Sequence, residues 1–183
     1  GKSYFLRYVA SKLGFNVIEK KAGDLGSGYH GETERNIAEM FKEAEQKRAM
    51  LIIDEIDSLL SERQDSEDNT GYNTRVVNEL LVRIESYKYP ICCTTNHINN
   101  IDRAALRRFL FKIEFSYLTK EQSQLAYKHF FERPGNNEAL NLIGGLVPSD
   151  FASVRKKAKV FGELDNDEKI IDLLKAEVKA KSR

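Results

Sequence analysis

Residues 51–57 read LIIDEID, and this stretch decides the fold. The apolar run that starts at Met50 is typical of a strand buried on both faces of a parallel sheet. Asp54 and Glu55 follow that run directly. A carboxylate at the carboxyl end of such a strand lies at the rim where open α/β sheets bind ligands. We therefore expect both acids to belong to a binding site, with two solvated acids at a strand end as the alternative.

The chain opens on Gly1, Lys2 and Ser3. These are the last three residues of the phosphate-binding pattern G-x-x-x-x-G-K-[ST], in which the lysine contacts phosphates and the hydroxyl binds Mg²⁺. A G-K-S alone is common by chance, so its weight comes from the acidic strand end that follows it in the chain. The pattern also predicts that the chain begins inside its own phosphate-binding loop, without the first strand of the sheet.

Hydrophobic periodicity predicts alternating strands and helices in residues 1–117. The predicted helices are 3–13, 32–47 and Val76 to Ile84, the predicted strands are 15–18, 50–54, 89–95 and 111–115, and a loop is predicted over 62–73. This alternation indicates an α/β fold with a parallel sheet flanked by helices. Together with the G-K-S start, it resembles a P-loop NTPase-type sheet whose first strand is missing. Residues 118–183 predict only helices, over 120–132, 136–144, 149–161 and 166–181, and hence a small α-helical lid subdomain.

The composition excludes some classes of partner. The net charge is +1, so the chain has no overall electrostatic signature for nucleic acid or membrane. No signal peptide and no apolar stretch long enough to span a bilayer is present, so a cytoplasmic location is expected. Cys92 and Cys93 are adjacent on a predicted strand, where neighbouring side chains point to opposite faces. We expect two free, buried thiols in a reducing compartment.

Three further features carry candidate chemistry. Asn96 follows a predicted strand, where a neutral amide can bind a phosphate or an attacking water; a turn asparagine is the alternative. Arg107 and Arg108 end a short helical segment and could reach a phosphate bound by a neighbouring subunit; a surface basic pair is the alternative. Tyr29 lies in a glycine-rich loop and suits an exposed contact residue; a ring folded back onto the protein is the alternative.

In this order the segments resemble an AAA ATPase, from Gly1 to about Phe115. The most specific stretches are 31–37, GETERNI, and 51–59, LIIDEIDSL, which resemble the pore-loop helix and Walker B. Residues 94–96, TTN, resemble sensor 1. Residues 101–109, IDRAALRRF, resemble the second region of homology, which usually reads LDPALLRPGRF.

The resemblance implies ATP and Mg²⁺ as ligands and a hexameric ring of this chain acting on a polypeptide. Nucleotide-binding roles fall on Gly1, Lys2, Ser3 and Asp54, with Ser3 and Asp54 at the metal; catalytic roles fall on Glu55, Asn96, Arg107 and Arg108. Either arginine could act in trans as the arginine finger. Tyr29 and His30 match the loop that grips substrate in the pore, and residues 65–75 match a second pore loop. Phe151 takes the place where other branches carry a sensor 2 arginine, and Arg155 follows one turn later with an open role.

Three functions are compatible with these observations. The first is ATP-dependent protein remodelling by a ring. The second is an inactive fragment that folds without hydrolysing ATP or forming a ring; because the phosphate-binding loop is incomplete, we expect these 183 residues to be impaired in this way, and the first function to describe their parent protein. The third is a DNA-acting AAA+ protein such as a helicase loader, against which the near-zero net charge and the aromatic pore loop argue. The substrate protein and any adaptor stay open.

Overall fold

The structure is a computed structural model that describes residues 1–27, 29, 31–60 and 70–181, and the backbone alone for residues 70–74. The described chain divides into two compact units, of which the first spans Lys2–Ile113 and the second begins at Glu114. None of the helices in these ranges is long and apolar enough to cross a membrane.

The first unit alternates helices and strands. Its elements are α1 (Lys2–Leu13), β1 (Val17–Lys21), α2 (Ala22–Leu25), α3 (Glu32–Gln46), β2 (Met50–Asp54), α4 (Asp57–Leu60), α5 (Thr70–Ser86), β3 (Ile91–Cys93) and α6 (Arg103–Leu106), with a short 3₁₀ turn over Ile98–Asn100. Helix α1 ends where the sequence predicts, because Gly14 adopts a φ of 74° that glycine reaches without steric cost.

The described strands form one parallel sheet in the order β1-β2-β3. In register, Val17 lies opposite Met50 and Leu51 lies opposite Ile91. The central strand β2 is buried on both faces, as its continuous apolar sequence predicts. Because parallel strands end at the same edge, the residues that follow β2 and β3 meet there.

Alternate residues of β2 pack against different helices. Leu51 and Ile53 join the larger core, which includes buried side chains of α3 and α5. Met50 and Ile52 pack with Ala10 of α1 in a second cluster on the other face. The predicted architecture, a parallel sheet flanked by helices, is therefore confirmed.

Several predicted boundaries are wrong. The strand predicted at Phe111–Phe115 does not form; the segment is irregular, and Phe111 and Ile113 are 79% and 65% exposed. Apolar alternation alone does not make a strand, since the backbone needs a neighbouring strand to pair with, and none of the described strands pairs there.

Other boundaries are shifted. Strand β1 runs over Val17–Lys21 rather than 15–18, because its carboxyl half is polar and half-exposed at the sheet edge. Strand β3 is shorter than the predicted 89–95. Helix α5 begins at Thr70, inside the predicted loop 62–73. Of the predicted second pore loop 65–75, residues 65–69 lie outside the described residues and 70–75 are helical.

The second unit is helical. Its elements are α7 (Lys120–Phe131), α8 (Asn137–Asn141), α9 (Pro148–Phe161) and α10 (Asp167–Lys181), and its core includes the fully buried Tyr127, Leu140, Leu146, Phe151, Val154, Ile170 and Leu174. The predicted capping box at the start of α7 is present: the Thr119 hydroxyl accepts from the Gln122 N–H, and the Gln122 side chain accepts from the Thr119 N–H.

A polar network inside the second unit joins α7 to α10. The Tyr127 hydroxyl donates to Asp167 Oδ1 at 2.6 Å, and Arg133 forms an ion pair with the same carboxylate. Burial and the Asp167 hydrogen bond both raise the pKa of Tyr127. The phenol thus donates a hydrogen bond that links α7 to α10.

Candidate active site

The first two residues of α1 are Lys2 and Ser3. A helix N-terminus favours anions, because its first N–H groups lack partners in the helix and its dipole is positive there. The Lys2 ammonium donates to Asn96 Oδ1 at 2.5 Å. Asn96 lies just past the end of β3, so the cation of α1 lies at the carboxyl edge of the sheet.

The Asp54 carboxylate, at the end of β2, is held by two hydroxyl groups. Ser3 Oγ lies 3.3 Å from Asp54 Oδ1 and 3.4 Å from Oδ2. Thr94, directly after β3, donates its hydroxyl proton to Asp54 Oδ1. The half-buried carboxylate thus links the start of α1 to the ends of β2 and β3.

Glu55 leaves the strand in an unusual conformation. Its φ is 57°, in the left-handed region that non-glycine residues adopt at an energetic cost. Two contacts hold this turn: the Glu55 N–H donates to Thr94 Oγ1 at 3.3 Å, and the Ser58 hydroxyl donates to the Glu55 carbonyl at 3.1 Å. The residue is exposed, and its carboxylate makes no hydrogen bond or ion pair with any described residue.

A further cation lies one turn along α1. Arg7 makes two hydrogen bonds with Glu19, at 2.7 and 2.9 Å. These bonds and the Glu19 charge raise the pKa of Arg7, with a smaller contribution from the negative charge of Asp54. Arg7 therefore makes its side-chain hydrogen bonds to Glu19 and interacts with Asp54 only weakly.

The structure separates the two candidate arginines by their contacts. Arg108 Nε forms an ion pair with Glu85 at 2.6 Å, and its Nη1 donates to the Ala104 carbonyl at 2.8 Å. Arg107 is exposed, and its side chain makes no hydrogen bond or ion pair with any residue that the structure describes. The Arg108 side chain is therefore bound within its own unit, whereas the Arg107 side chain is free to contact another molecule.

Tyr29 is 78% exposed, which is the outcome expected of a contact residue on a loop. His30 lies outside the described residues. The Tyr29 N–H donates to Ser27 Oγ at 3.2 Å, and the Ser27 hydroxyl in turn donates to the carboxylate of Glu32, the first residue of α3. The base of this loop is thus attached to the start of α3 while the ring of Tyr29 projects outward.

Three candidate residues remain: Gly1, Phe151 and Arg155. Gly1 is exposed and precedes α1. In the second unit, Phe151 is fully buried in the apolar core, and Arg155 forms an ion pair with Glu132 at 3.1 Å. Arg155 therefore has a partner within its own unit.

Residues 1–117 match the sequence model of the ATPase family associated with various cellular activities (AAA). The chain belongs to the AAA family. This match covers more than half of the chain and confirms the resemblance that residues 31–37 and 51–59 indicate.

Curated relatives support the same family. The chain is 29% identical to spastin of Drosophila erecta over an alignment of 173 residues that covers 86% of this chain and 23% of spastin. It is equally similar to spastin of Drosophila melanogaster, and 29% identical over 173 residues to spastin of Drosophila mojavensis, of which it covers 22%. The chain thus spans about a quarter of the length of these relatives.

The donor set of the AAA domain fits a magnesium–nucleotide ligand. Hydroxyl and carboxylate oxygens are ligands that Mg²⁺ prefers, and the Ser3 hydroxyl lies beside the Asp54 carboxylate. The ammonium of Lys2 supplies a phosphate-binding charge at the N-terminus of the same helix. The site thus presents a negative carboxylate for the metal ion and a positive ammonium for the phosphate.

One residue of the site was missed by the sequence reasoning. The sequence places Thr94 only in the stretch that resembles sensor 1, whereas in the structure the residue is 5% exposed and its hydroxyl contacts the Asp54 carboxylate and the Glu55 N–H. The sequence shows a polar residue directly after an apolar strand, but it does not specify the register that brings this residue beside Asp54. Its neighbour Thr95 donates to Asp57 at 2.6 Å in the same way.

Proposed function

We propose that the AAA domain binds and hydrolyses ATP with Mg²⁺ and couples hydrolysis to remodelling of a polypeptide within a hexameric ring. One observation carries the proposal. The hydrogen bonds from Lys2 to Asn96 and from Ser3 to Asp54 join a helix N-terminus to the carboxyl edge of a parallel sheet. This is the place where open α/β sheets bind phosphates.

The binding roles follow from the charges of these groups. Lys2 pairs with phosphate oxygens, and the N–H groups of Gly1 and of the first turn of α1 contribute neutral donors. Ser3 and Asp54 hold Mg²⁺. When bound, Mg²⁺ supplies charge neutralisation and orientation of the phosphates. Because Ser3 already lies beside Asp54, little rearrangement of either side chain is required.

The catalytic roles fall on two residues at the strand ends. Glu55 is the general base that accepts a proton from water, since its carboxylate is exposed and has no partner among the described residues. Asn96 orients that water or a phosphate oxygen through its neutral amide. In the structure the side-chain oxygen of Asn96, Oδ1, accepts a hydrogen bond from Lys2, which leaves the side-chain N–H₂ group of Asn96 as the donor toward a ligand.

A neighbouring subunit supplies the remaining charge. An arginine that acts in trans must project from its own subunit without internal partners. Arg107 meets this condition, whereas Arg108 is bonded to Glu85 and Ala104. We therefore assign the trans role to Arg107.

The polypeptide contact is assigned to Tyr29. Its exposed ring can pack against an extended chain, and its attachment to Ser27 and thereby to α3 provides a connection to the nucleotide-binding unit. His30 shares the proposed loop but lies outside the described residues. We also propose a cytoplasmic location, with which the free thiols of Cys92 and Cys93 are compatible because thiols stay reduced there.

The test is the ATPase rate of the full-length protein with and without Glu55→Gln. This variant keeps the shape of the side chain and removes the base, so we expect a rate lower by roughly a hundredfold or more with ATP binding preserved. Glu39→Gln is the matched control, because Glu39 is an exposed acid on α3 whose side chain is 71% accessible. Equal rates for the wild type and the Glu55 variant would reject the catalytic assignment.

Calorimetry distinguishes the alternative of an inactive fragment. In a titration of residues 1–183 with ATP and Mg²⁺, micromolar binding that Lys2→Ala weakens would count against the fragment interpretation. Absence of binding by these residues, together with Glu55-dependent hydrolysis by the full-length protein, would support the fragment interpretation for this segment.

A further inference from the structure

The Thr94 hydroxyl is one of few polar groups buried in the first unit. Its side chain is 5% exposed, and it lies between the ends of β2 and β3. Its backbone is fixed on both sides, since the Thr94 N–H donates to the Ile53 carbonyl at 3.0 Å and the Ile56 N–H donates to the Thr94 carbonyl at 2.9 Å. These two backbone hydrogen bonds therefore fix the position of Thr94, although it lies in the loop that follows β3.

The hydrogen-bonding capacity of the neighbouring groups determines which bond the Thr94 hydroxyl accepts and which it donates. The Glu55 backbone N–H can only donate, so Thr94 Oγ1 must accept that bond. A hydroxyl carries a single proton, and the Asp54 carboxylate is the group in position to receive it. One side chain thus orients the carboxylate of Asp54 and the backbone of Glu55 at the same time.

The second contact matters because Glu55 is in the left-handed region, with a φ of 57°. Residues in this region persist only where their surroundings hold them. The hydrogen bond to Thr94 holds the amide of Glu55, and Ser58 holds its carbonyl. Without the Thr94 hydroxyl, the amide loses its acceptor and the direction of the Glu55 side chain is no longer specified.

We propose that Thr94 is the positioning residue of the acid pair: its hydroxyl sets the Asp54 carboxylate for the metal and the Glu55 side chain for the attacking water. The assignment rests on the proposed ATPase function. Thr94 itself does not contact the reacting atoms; it acts by positioning Asp54 and Glu55.

The experiment compares Thr94→Val and Thr94→Cys with Thr94→Ser in the full-length protein. Valine keeps the shape without the hydroxyl, cysteine replaces it with a weak hydrogen-bonding group, and serine retains it. We expect kcat to fall roughly ten- to hundredfold for valine and cysteine, with the KM for ATP changed less than about threefold, and to stay near wild type for serine. The Mg²⁺ concentration for half-maximal binding of a fluorescent ATP analogue should rise for valine and cysteine alone.

Two further readouts separate this proposal from the ATPase assignment. Thermal unfolding identifies the variants that fold, and amide hydrogen exchange at Glu55 reports the Thr94 hydrogen bond without nucleotide. We expect faster exchange at Glu55 in the valine and cysteine variants and wild-type exchange in the serine variant. If the wild type lacks Glu55-dependent hydrolysis, the ATPase proposal fails while this exchange pattern still shows that Thr94 holds Glu55. The proposal for Thr94 is overturned if a folded valine or cysteine variant keeps wild-type kcat and Mg²⁺ dependence, or if serine is as impaired as valine.

Discussion

Arg107 and Arg108 are neighbours with opposite expected phenotypes. Arg107→Ala removes an exposed side chain without partners among the described residues, so the free energy of unfolding should change by less than about 0.5 kcal/mol. Arg108→Ala removes an ion pair whose side chains are 33% and 57% exposed, together with a hydrogen bond to the Ala104 carbonyl. The exposed pair contributes about 0–1 kcal/mol and the hydrogen bond about 1 kcal/mol, so the melting temperature should fall by roughly 2–8 °C.

The effect on catalysis should be reversed. An arginine that stabilises transition-state charge from a neighbouring subunit contributes about 10³-fold or more to kcat. We therefore expect Arg107→Ala to abolish most hydrolysis in the assembled protein and Arg108→Ala to retain most of it. Steady-state ATPase assays with thermal unfolding of the same samples measure both quantities.

A mixing experiment tests whether Arg107 acts in trans. Arg107→Ala and Glu55→Gln subunits are each inactive alone, but a site made from the Glu55 of the first and the Arg107 of the second is intact. In a random equal mixture about a quarter of the sites have this composition, so activity should reappear at about that fraction. No recovery on mixing, or a greater loss of activity from Arg108→Ala than from Arg107→Ala, would refute the assignment.

Three predictions concern stability. Gly135→Ala should destabilise the second unit by about 1–3 kcal/mol in denaturant unfolding, because the added methyl would lie 2.7–2.8 Å from the buried ring of Tyr127; a stability equal to wild type would contradict the close packing. Lys181→Ala should cost about 1–2 kcal/mol, because Lys181 donates at 2.6 Å to Asp150, a carboxylate that is 4% exposed; an unchanged melting temperature would show that the pair contributes nothing. Burial raises the pKa of Tyr87 from 10.0 to about 12, so folding favours the neutral phenol. The stability that this group contributes is complete below about pH 10 and is lost as the pH rises toward 12. Tyr87→Phe should therefore reduce the loss of stability at alkaline pH, measured by unfolding as a function of pH.

The parts of the fold that could be predicted are those in which one strong local pattern has a single interpretation. Residues 50–54 form a buried strand because a continuous apolar run bounded by polar residues has no stable alternative in a small α/β unit. Helix α1 and the capping box of α7 were predictable for the same reason, since Gly14 and Thr119 act within one turn of the chain. The family followed from the order of such segments.

The parts that could not be predicted depend on partners distant in sequence. Residues 111–115 alternate like a strand, yet they are irregular because strand formation requires a neighbour with free backbone groups. The start of α5 at Thr70 was missed because a polar segment carries little hydrophobic periodicity. The role of Thr94 depends on the register between β2 and β3, which no local pattern specifies.

The register also explains why the acids at the end of β2 can differ in chemistry although they are adjacent. Asp54 is the last residue of the strand, so its carboxylate stays at the sheet edge and receives the hydroxyls of Ser3 and Thr94. Glu55 turns into the left-handed region, and its carboxylate is left exposed without a hydroxyl donor from the described residues. A carboxylate surrounded by donors is suited to hold a cation, whereas one without partners is suited to accept a proton. One threonine directly after the next strand contacts both residues, so the roles that we propose for them depend on a single buried hydroxyl.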